Sequence, residues 1–240
     1  VASAFLPDPV RRSMLDEGVE IIDLPSVDAI TNPLHRSFEQ ADWVIFDGYR
    51  FPSDIREIAR QHCQSIGLID DFAISSRPVD VDLLIDQNLG VDPECYLHDG
   101  ISRSLLGTRY VLLRRFFRET STPRRQARTG RLKILFLTGG SRHPVVVEAF
   151  LDVARELSNQ GHEVVTIGGD FDTSRFDFDA LPRVMTEADL AVSTAGSTCW
   201  ELVWSGTPVV AIPTADNQGP IAERLTLIGA AESLDPRAQE

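Results

Sequence analysis

Short apolar runs alternate with stretches of helical period along the chain, and glycine, proline or aspartate punctuates them. In the first half Ala2–Leu6, Glu20–Leu24, Trp43–Phe46, Ser65–Ile69 and Val81–Ile85 read as strands, and the Tyr110–Leu113 region completes the set. Helical periods cover Pro9–Glu17, stopped by Gly18, a short piece at Phe38–Ala41, and Pro52–Ser65, for which Ser53 is a good N-cap. The second half repeats the rhythm more clearly. Lys133–Leu137, Glu163–Ile167, Leu190–Ser193 and Pro208–Ile212 predict strands, and Val145–Asn159, Leu181–Ala188, Gly196–Ser205 and Pro220–Ile228 predict helices. Within the first of these helices Val146, Phe150, Val153, Ala154 and Leu157 form a stripe of period 3.6 that Gly161 ends. Such alternation implies parallel pairing through right-handed crossovers, hence an open α/β sheet in each half.

Length adds that 240 residues suit one large α/β unit or two small ones, with ample apolar material for a core. A formal charge of −13 argues against a general nucleic-acid or anionic-membrane binder. That charge is uneven, because Arg114 to Lys133 carries eight basic residues against one acidic, Glu119. The stretch reads as a solvated linker between two halves, or as a basic patch that docks an acidic partner or steers a phosphate-bearing ligand. No apolar run approaches the roughly 18 residues of a membrane span, and no charged n-region precedes an apolar stretch. Cys63, Cys95 and Cys199 are odd in number and lack C-x-x-C spacing, so a reducing cytoplasm fits better than a disulfide framework or a zinc cluster. The chain opens on Val1, already inside an expected strand, and the expectation is a piece whose beginning is missing.

Candidate chemistry concentrates where ligands bind in open α/β sheets, at the carboxyl ends of strands. Thr138-Gly139-Gly140-Ser141 joins a strand to a helix, and Ser193-Thr194-Ala195-Gly196-Ser197-Thr198 does the same further on. Glycines there let backbone N–H groups approach an oxyanion, and the following helix N-terminus adds partial positive charge. Two such turns facing one crevice could cradle a diphosphate without lysine; the bland alternative is a pair of ordinary tight turns. Glu201, at i+4 from Ser197, suits a ribose clamp, accepting from two adjacent hydroxyls, or else a capping-box acid. Asn217 and Gln218 carry amides that both donate and accept, which suits sugar hydroxyls and acetamido groups, or else an ordinary polar loop. Asp47-Gly48-Tyr49 and Asp70-Asp71 end apolar strands, where paired carboxylates can hold divergent pKa values for acid–base work; as single residues they read as turn formers. Nucleophile-elbow, dinucleotide and lysine phosphate-loop motifs are absent, and His35, His62, His98, His143 and His162 have no metal-ligand spacing.

In order along the chain come Trp43-Val44-Ile45-Phe46-Asp47-Gly48-Tyr49, Ile69-Asp70-Asp71, Gln87-Asn88 and Gly107-x-x-Tyr110-x-Leu112-Leu113-Arg114. They are followed by Gly139-Gly140-Ser141, Ala188-Asp189-Leu190-Ala191, Gly196-Ser197-Thr198-Cys199-Trp200-Glu201, Asp216-Asn217-Gln218 and Gly229-Ala230-Ala231. This series resembles the UDP-2,4-diacetamido-2,4,6-trideoxy-β-L-altropyranose hydrolases of pseudaminic acid biosynthesis and their spore-coat polysaccharide relatives. The likeness covers nearly the whole chain, and the Gly-Ser-Thr-Cys-Trp-Glu and Asp-Asn-Gln blocks are its most specific parts.

The resemblance implies a GT-B-like α/β fold of two Rossmann-like domains with parallel sheets and the substrate between them. It implies an amino-terminal domain over 1–118 on the sugar side, a basic linker over 119–131, and a UDP-binding domain over 132–240. Carried over, Gly139, Gly140, Ser141, Gly196, Ser197 and Thr198 line the pyrophosphate, Glu201 holds the ribose, and Asn217 and Gln218 face the diphosphate or the sugar. Asp47 and Tyr49 are the expected residues near the reacting sugar. Water attacks the anomeric carbon as UDP leaves, with no cofactor and no metal. The family's opening strand and its Gly-x-Gly-His-x-x-Arg loop, which supplies a base histidine, have no counterpart here, and its Leu-Arg-Pro-Glu-Phe is Leu113-Arg114-Arg115-Phe116-Phe117. An amino-terminal sheet lacking one central strand is therefore expected, with an open seam that a missing segment or a partner fills. A GT-B glycosyltransferase with a UDP-sugar donor and a non-catalytic nucleotide-sugar binder are the alternative readings.

Overall fold

The unbroken apolar run Ile134–Leu137 belongs in a strand covered on both faces, and it lies in the interior of a five-stranded sheet, paired on both sides. The computed structural model describes residues 1–3, 6, 8–23, 41–48, 51, 53–73, 81–97, 100–119, 129–139, 144–168 and 180–234. The chain divides into two compact units, Val1–Tyr110 and Val111–Glu240.

In the first unit, β1 (Ala2–Ser3), α1 (Asp8–Asp16) and β2 (Ile22–Asp23) precede β3 (Trp43–Asp47), α2 (Ser53–His62), β4 (Ser65–Ile69), β5 (Val81–Asp86) and β6 (Ile101–Leu106). All pairing among the described strands is parallel. β1 pairs with β2 as a two-stranded sheet, and β3-β4-β5-β6 form a second sheet in sequence order. Ala2 and Ile22 nonetheless pack against the same core as the larger sheet, beside Phe46, Ile66, Leu68 and Leu84. On β3, Trp43 and Ile45 are exposed while Phe46 is buried. The Tyr110–Leu113 region is not a strand: Thr108–Tyr110 is a 3-10 turn, and the last strand of this unit is β6. Its sequence, Ile-Ser-Arg-Ser-Leu-Leu, exposes Ser102, Arg103 and Ser104 in succession, so neither apolar periodicity nor an apolar run announces it. The short helix expected at Phe38–Ala41 falls almost wholly outside the described residues.

The second unit holds α3 (Arg115–Glu119), β7 (Lys133–Leu137), α4 (Pro144–Asn159), β8 (Glu163–Ile167), α5 (Leu181–Glu187), β9 (Leu190–Thr194), α6 (Thr198–Trp204), β10 (Val209–Ile212), α7 (Gln218–Leu227) and β11 (Glu232–Ser233). Its sheet runs β11-β10-β9-β7-β8, parallel throughout. Pro144 opens α4, where a missing N–H costs nothing. Val147, Phe150 and Ala154 bury its inner face against β7, with Phe150 edge-on to Phe136 at 5.5 Å between ring centroids. From β7 the chain steps to β8 on one side, then returns to β9 on the other. The carboxyl ends of β7 and β9 therefore flank the point where strand order reverses, which in open α/β sheets is where a crevice forms.

Candidate functional site

On the second unit, the turns after β7, β9 and β10 meet at this reversal. Gly139 has φ +57, and a Cβ placed on it would lie 3.5 Å from Thr194 Oγ1 and 3.6 Å from Thr198 Oγ1. The Thr194 hydroxyl donates to the carbonyl of Thr138 at 3.1 Å, tying the end of β9 to the end of β7. Gly196 comes close to the third turn, its hypothetical Cβ 3.8 Å from Gln218 Nε2. Gln218 itself is oriented by two bonds to its Oε1, from the Thr214 N–H at 2.8 Å and the Thr214 hydroxyl at 3.0 Å. Beneath the first turn the Thr138 hydroxyl is buried, with no hydrogen-bond partner among the described residues. Gly168, at the end of β8, closes over it: a Cβ there would meet Thr138 Oγ1 at 2.8 Å and the Gly139 carbonyl at 3.0 Å.

The structure thus brings together Gly139, Thr198, Gly196 and Gln218 of the residues singled out in the sequence. Gly140 and Ser141 lie outside the described residues. Ser197 and Asn217 are the residues preceding α6 and α7; both have helical dihedrals and neither side chain caps its helix. Thr194 and Thr138 are additions, and they sit inside stretches whose glycines drew attention first. Cys199, within the most specific sequence block, is sealed in the core, and burial pushes its thiol up to about 12, so it packs and does not attack.

Glu201 is buried in the first turn of α6, yet it does not cap the backbone as a capping-box acid would. Arg114 takes it instead. Nε donates to Oε1 at 2.6 Å and a terminal nitrogen donates to Oε2, a bidentate pair across 87 residues of sequence. The guanidinium also lies over the Phe117 ring, 5.6 Å from its centroid. Phe117 is buried, and its carbonyl accepts from Trp204 Nε1 at 2.9 Å. No local pattern links Arg114 to Glu201, which is why a reading of the sequence alone leaves Arg114 without a role.

The first unit carries a separate polar cluster at the carboxyl ends of β4 and β5. Asp86 is fully buried and accepts from Phe72 N–H at 2.7 Å, Tyr96 hydroxyl at 2.9 Å, Asn88 N–H at 3.0 Å and Asn88 Nδ2 at 2.9 Å. Lost hydration raises its pKa, and these four donors oppose that rise. The Tyr96 hydroxyl also approaches Asp70 at 3.0 Å and accepts from Ala73 N–H at 2.7 Å. Phe72 and Ala73 have φ +50 and +58, so the network holds two successive non-glycine residues in left-handed backbone. Asn88 Nδ2 also donates to Asp71 Oδ1 at 2.5 Å. Asp47 ends β3, and partial loss of hydration first and Asp71 second raise its pKa. Tyr49 lies outside the described residues. Among the described residues no group of three or more His, Cys, Asp or Glu is arranged to hold a metal ion. None of the described helices is long and apolar enough to cross a membrane.

Residues 134–234 match the glycosyltransferase family 28 C-terminal domain. Among solved structures, the glycotransferase of kitacinnamycin is similar over 95% of this chain and 76% of its own, at 16% identity and a TM-score of 0.55. The glycosyltransferase SsfS6 of Streptomyces sp. SF2575, complexed with thymidine diphosphate, is similar over 86% of this chain and 62% of its own, at 19% identity and a TM-score of 0.52. No curated protein matches the sequence. The fold is thus a two-part α/β architecture with parallel sheets that resembles GT-B glycosyltransferases.

Proposed function

We propose that this chain binds a nucleotide sugar on its second unit and acts as a glycosyltransferase, with a UDP-sugar as donor. The observation that carries the reading is the convergence of the turns after β7, β9 and β10 at the strand-order reversal, inside the stretch that matches a glycosyltransferase domain. On this reading Gly139, Gly140, Ser141, Gly196, Ser197 and Thr198 face the diphosphate, with Thr194 added by the geometry. Glu201 takes the ribose hydroxyls, and Asn217 and Gln218 face the diphosphate or the sugar. Asp47 and Tyr49 are assigned to the sugar side, where Asp47, its pKa raised by lost hydration and then by Asp71, is the carboxylate that would take up the acceptor's proton.

In the reaction, an acceptor hydroxyl attacks the anomeric carbon, the bond from that carbon to the diphosphate oxygen breaks, and the nucleoside diphosphate leaves with the electron pair. Backbone N–H and hydroxyl donors aimed at the diphosphate stabilise the charge that develops on it. Water in place of the acceptor would make the same step a hydrolysis. The Gly196-Ser197-Thr198-Cys199-Trp200-Glu201 and Asp216-Asn217-Gln218 blocks support that second reading through their resemblance to the pseudaminic-acid hydrolases. Similarity to two glycosyltransferases favours transfer.

Calorimetric titration with UDP and with thymidine diphosphate tests the binding site. Saturable UDP binding that Glu201→Ala weakens by about 1–3 kcal/mol is expected, the cost of lost charged hydrogen bonds. No binding of either nucleotide at about millimolar concentration would overturn the reading, being far weaker than a specific site requires. Product analysis with a UDP-linked acetamido sugar then separates chemistry: sugar moved to an added acceptor means transfer, free sugar alone means hydrolysis, and affinity without turnover means a binder.

A further inference from the structure

The Glu201 side chain is 8% exposed and that of Arg114 46%, so the arginine is the solvent-facing member of the pair. Both carboxylate oxygens are engaged by that one arginine. A ribose offers two adjacent hydroxyls, which is the same count of donors at nearly the same spacing as the two N–H groups of the guanidinium edge. The little remaining exposure of Glu201 does not accommodate both partners on the same oxygens. We infer that Arg114 is a displaceable counter-ion that sets nucleotide affinity: the vicinal diol of the incoming ribose exchanges for the arginine on Glu201. This inference rests on the reading of Glu201 as the ribose carboxylate.

The surroundings suit an exchange of this kind. Without a ligand, Glu201 is a buried charge that requires a partner, and Arg114 supplies it. Once displaced, the guanidinium keeps a place to rest, because it already lies over the Phe117 ring. Phe117 does not have to move with it, being buried and held through its carbonyl by Trp204. The cost of opening the ion pair is charged against binding, so apparent affinity is lowered by the fraction of molecules in which the carboxylate is closed.

The test uses the full chain and two probes, uridine and UDP. Uridine carries no phosphate, so its response to salt reports the ion pair and not charge on the ligand. For the unaltered chain, raising salt from about 50 to about 500 mM should tighten uridine binding about twofold or more, since screening weakens the partly exposed pair. Arg114→Gln should bind both probes about five- to tenfold more tightly, and its uridine affinity should no longer rise with salt. Arg114→Lys, which keeps the charge but not the two-pronged geometry, should fall between the two. If Arg114→Gln does not fold, as judged by circular dichroism, the salt response of the unaltered chain and Arg114→Lys decide. Weaker or unchanged binding in a folded Arg114→Gln, or uridine affinity that does not rise with salt, would make Arg114 a fixed support of Glu201 and overturn the inference, while UDP binding that needs Glu201 would leave the nucleotide site standing. Absence of binding by either probe to every variant would remove the site and the inference together.

Discussion

Thr138 and Asp82 show opposite ways in which one side chain ties local chemistry to stability. The Thr138 hydroxyl is buried without a partner among the described residues, and an unpaired buried group costs about 1–3 kcal/mol. Thr138→Val should therefore leave the ligand-free chain as stable or more stable in urea titration, and the result to the contrary is a loss of more than about 1 kcal/mol. Asp82 is held through one oxygen, its Oδ2 accepting from Ile66 N–H at 2.7 Å and from Arg60 at 2.8 Å. Burial pushes its pKa up, but those bonds outweigh it and the folded value lies below the usual 3.8. A depressed carboxylate contributes stability above its unfolded pKa and loses it as pH falls through the folded one. Asp82→Asn should thus cost about 1 kcal/mol near pH 7 and progressively less below about pH 4. Asp47 has the opposite sign. Its folded pKa is raised, so its contribution is fully present at low pH and is lost as pH rises through the folded value. Asp47→Asn should flatten the decline in unfolding free energy as pH rises above the usual carboxylate value of 3.8, which stability curves measured at several pH values would reveal.

Among the elements, the end of β8 shows how turns of different origin are made to fit. Gly168 has φ +97, and a side chain there would also strike the Thr138 hydroxyl at 2.8 Å and the Gly139 carbonyl at 3.0 Å. Backbone on one side cannot yield as a flexible side chain would. Gly168→Ala should lower stability by about 1–3 kcal/mol and weaken UDP binding through displacement of the Gly139 turn, whereas Gly161→Ala, with open space around it, should cost only the strain of its φ +92. Equal losses at the two glycines would refute the close-packing argument. The expected elements are largely the observed ones in the second unit, where β7, α4 and β8 have strong periods and clear stops. The short pairs β1–β2 and β10–β11 rest on two residues per strand at one or both partners, too few to print a period.

At the scale of the whole chain, residues 111–119 belong with the unit that follows them and not with the one before. Phe117 is buried there, Arg114 pairs with Glu201, and Trp204 bonds to the Phe117 carbonyl. A fragment of residues 111–240 should fold on its own and retain nucleotide binding. A fragment starting at residue 129 should lose about 2–4 kcal/mol, the burial of one phenylalanine plus the lost bonds. Coincident urea midpoints for the two fragments would show that the segment adds nothing. The formal charge of −13 coexists with the basic run from Arg114 to Lys133, and part of that run is structural: Arg114 is on Glu201, and Lys133 pairs with Glu187 at 2.7 Å. Composition alone presents the run as a linker or a patch, because charge counts carry no information on which partners the fold brings within reach.

By itself the sequence determined the strand–helix rhythm, the parallel sheets that follow from it, and the glycine-bearing turns at strand ends. These are local properties, set by apolar periods and by residues that tolerate unusual backbone. Tertiary structure alone decided which of those turns meet: strand order placed Gly139 beside Thr194 and Thr198, and Gly196 beside Gln218. It also gave Glu201 an arginine 87 residues away in place of the helix backbone close at hand. Order of strands in a sheet and the pairing of a buried charge depend on packing across the whole unit, and no window of sequence contains that sum.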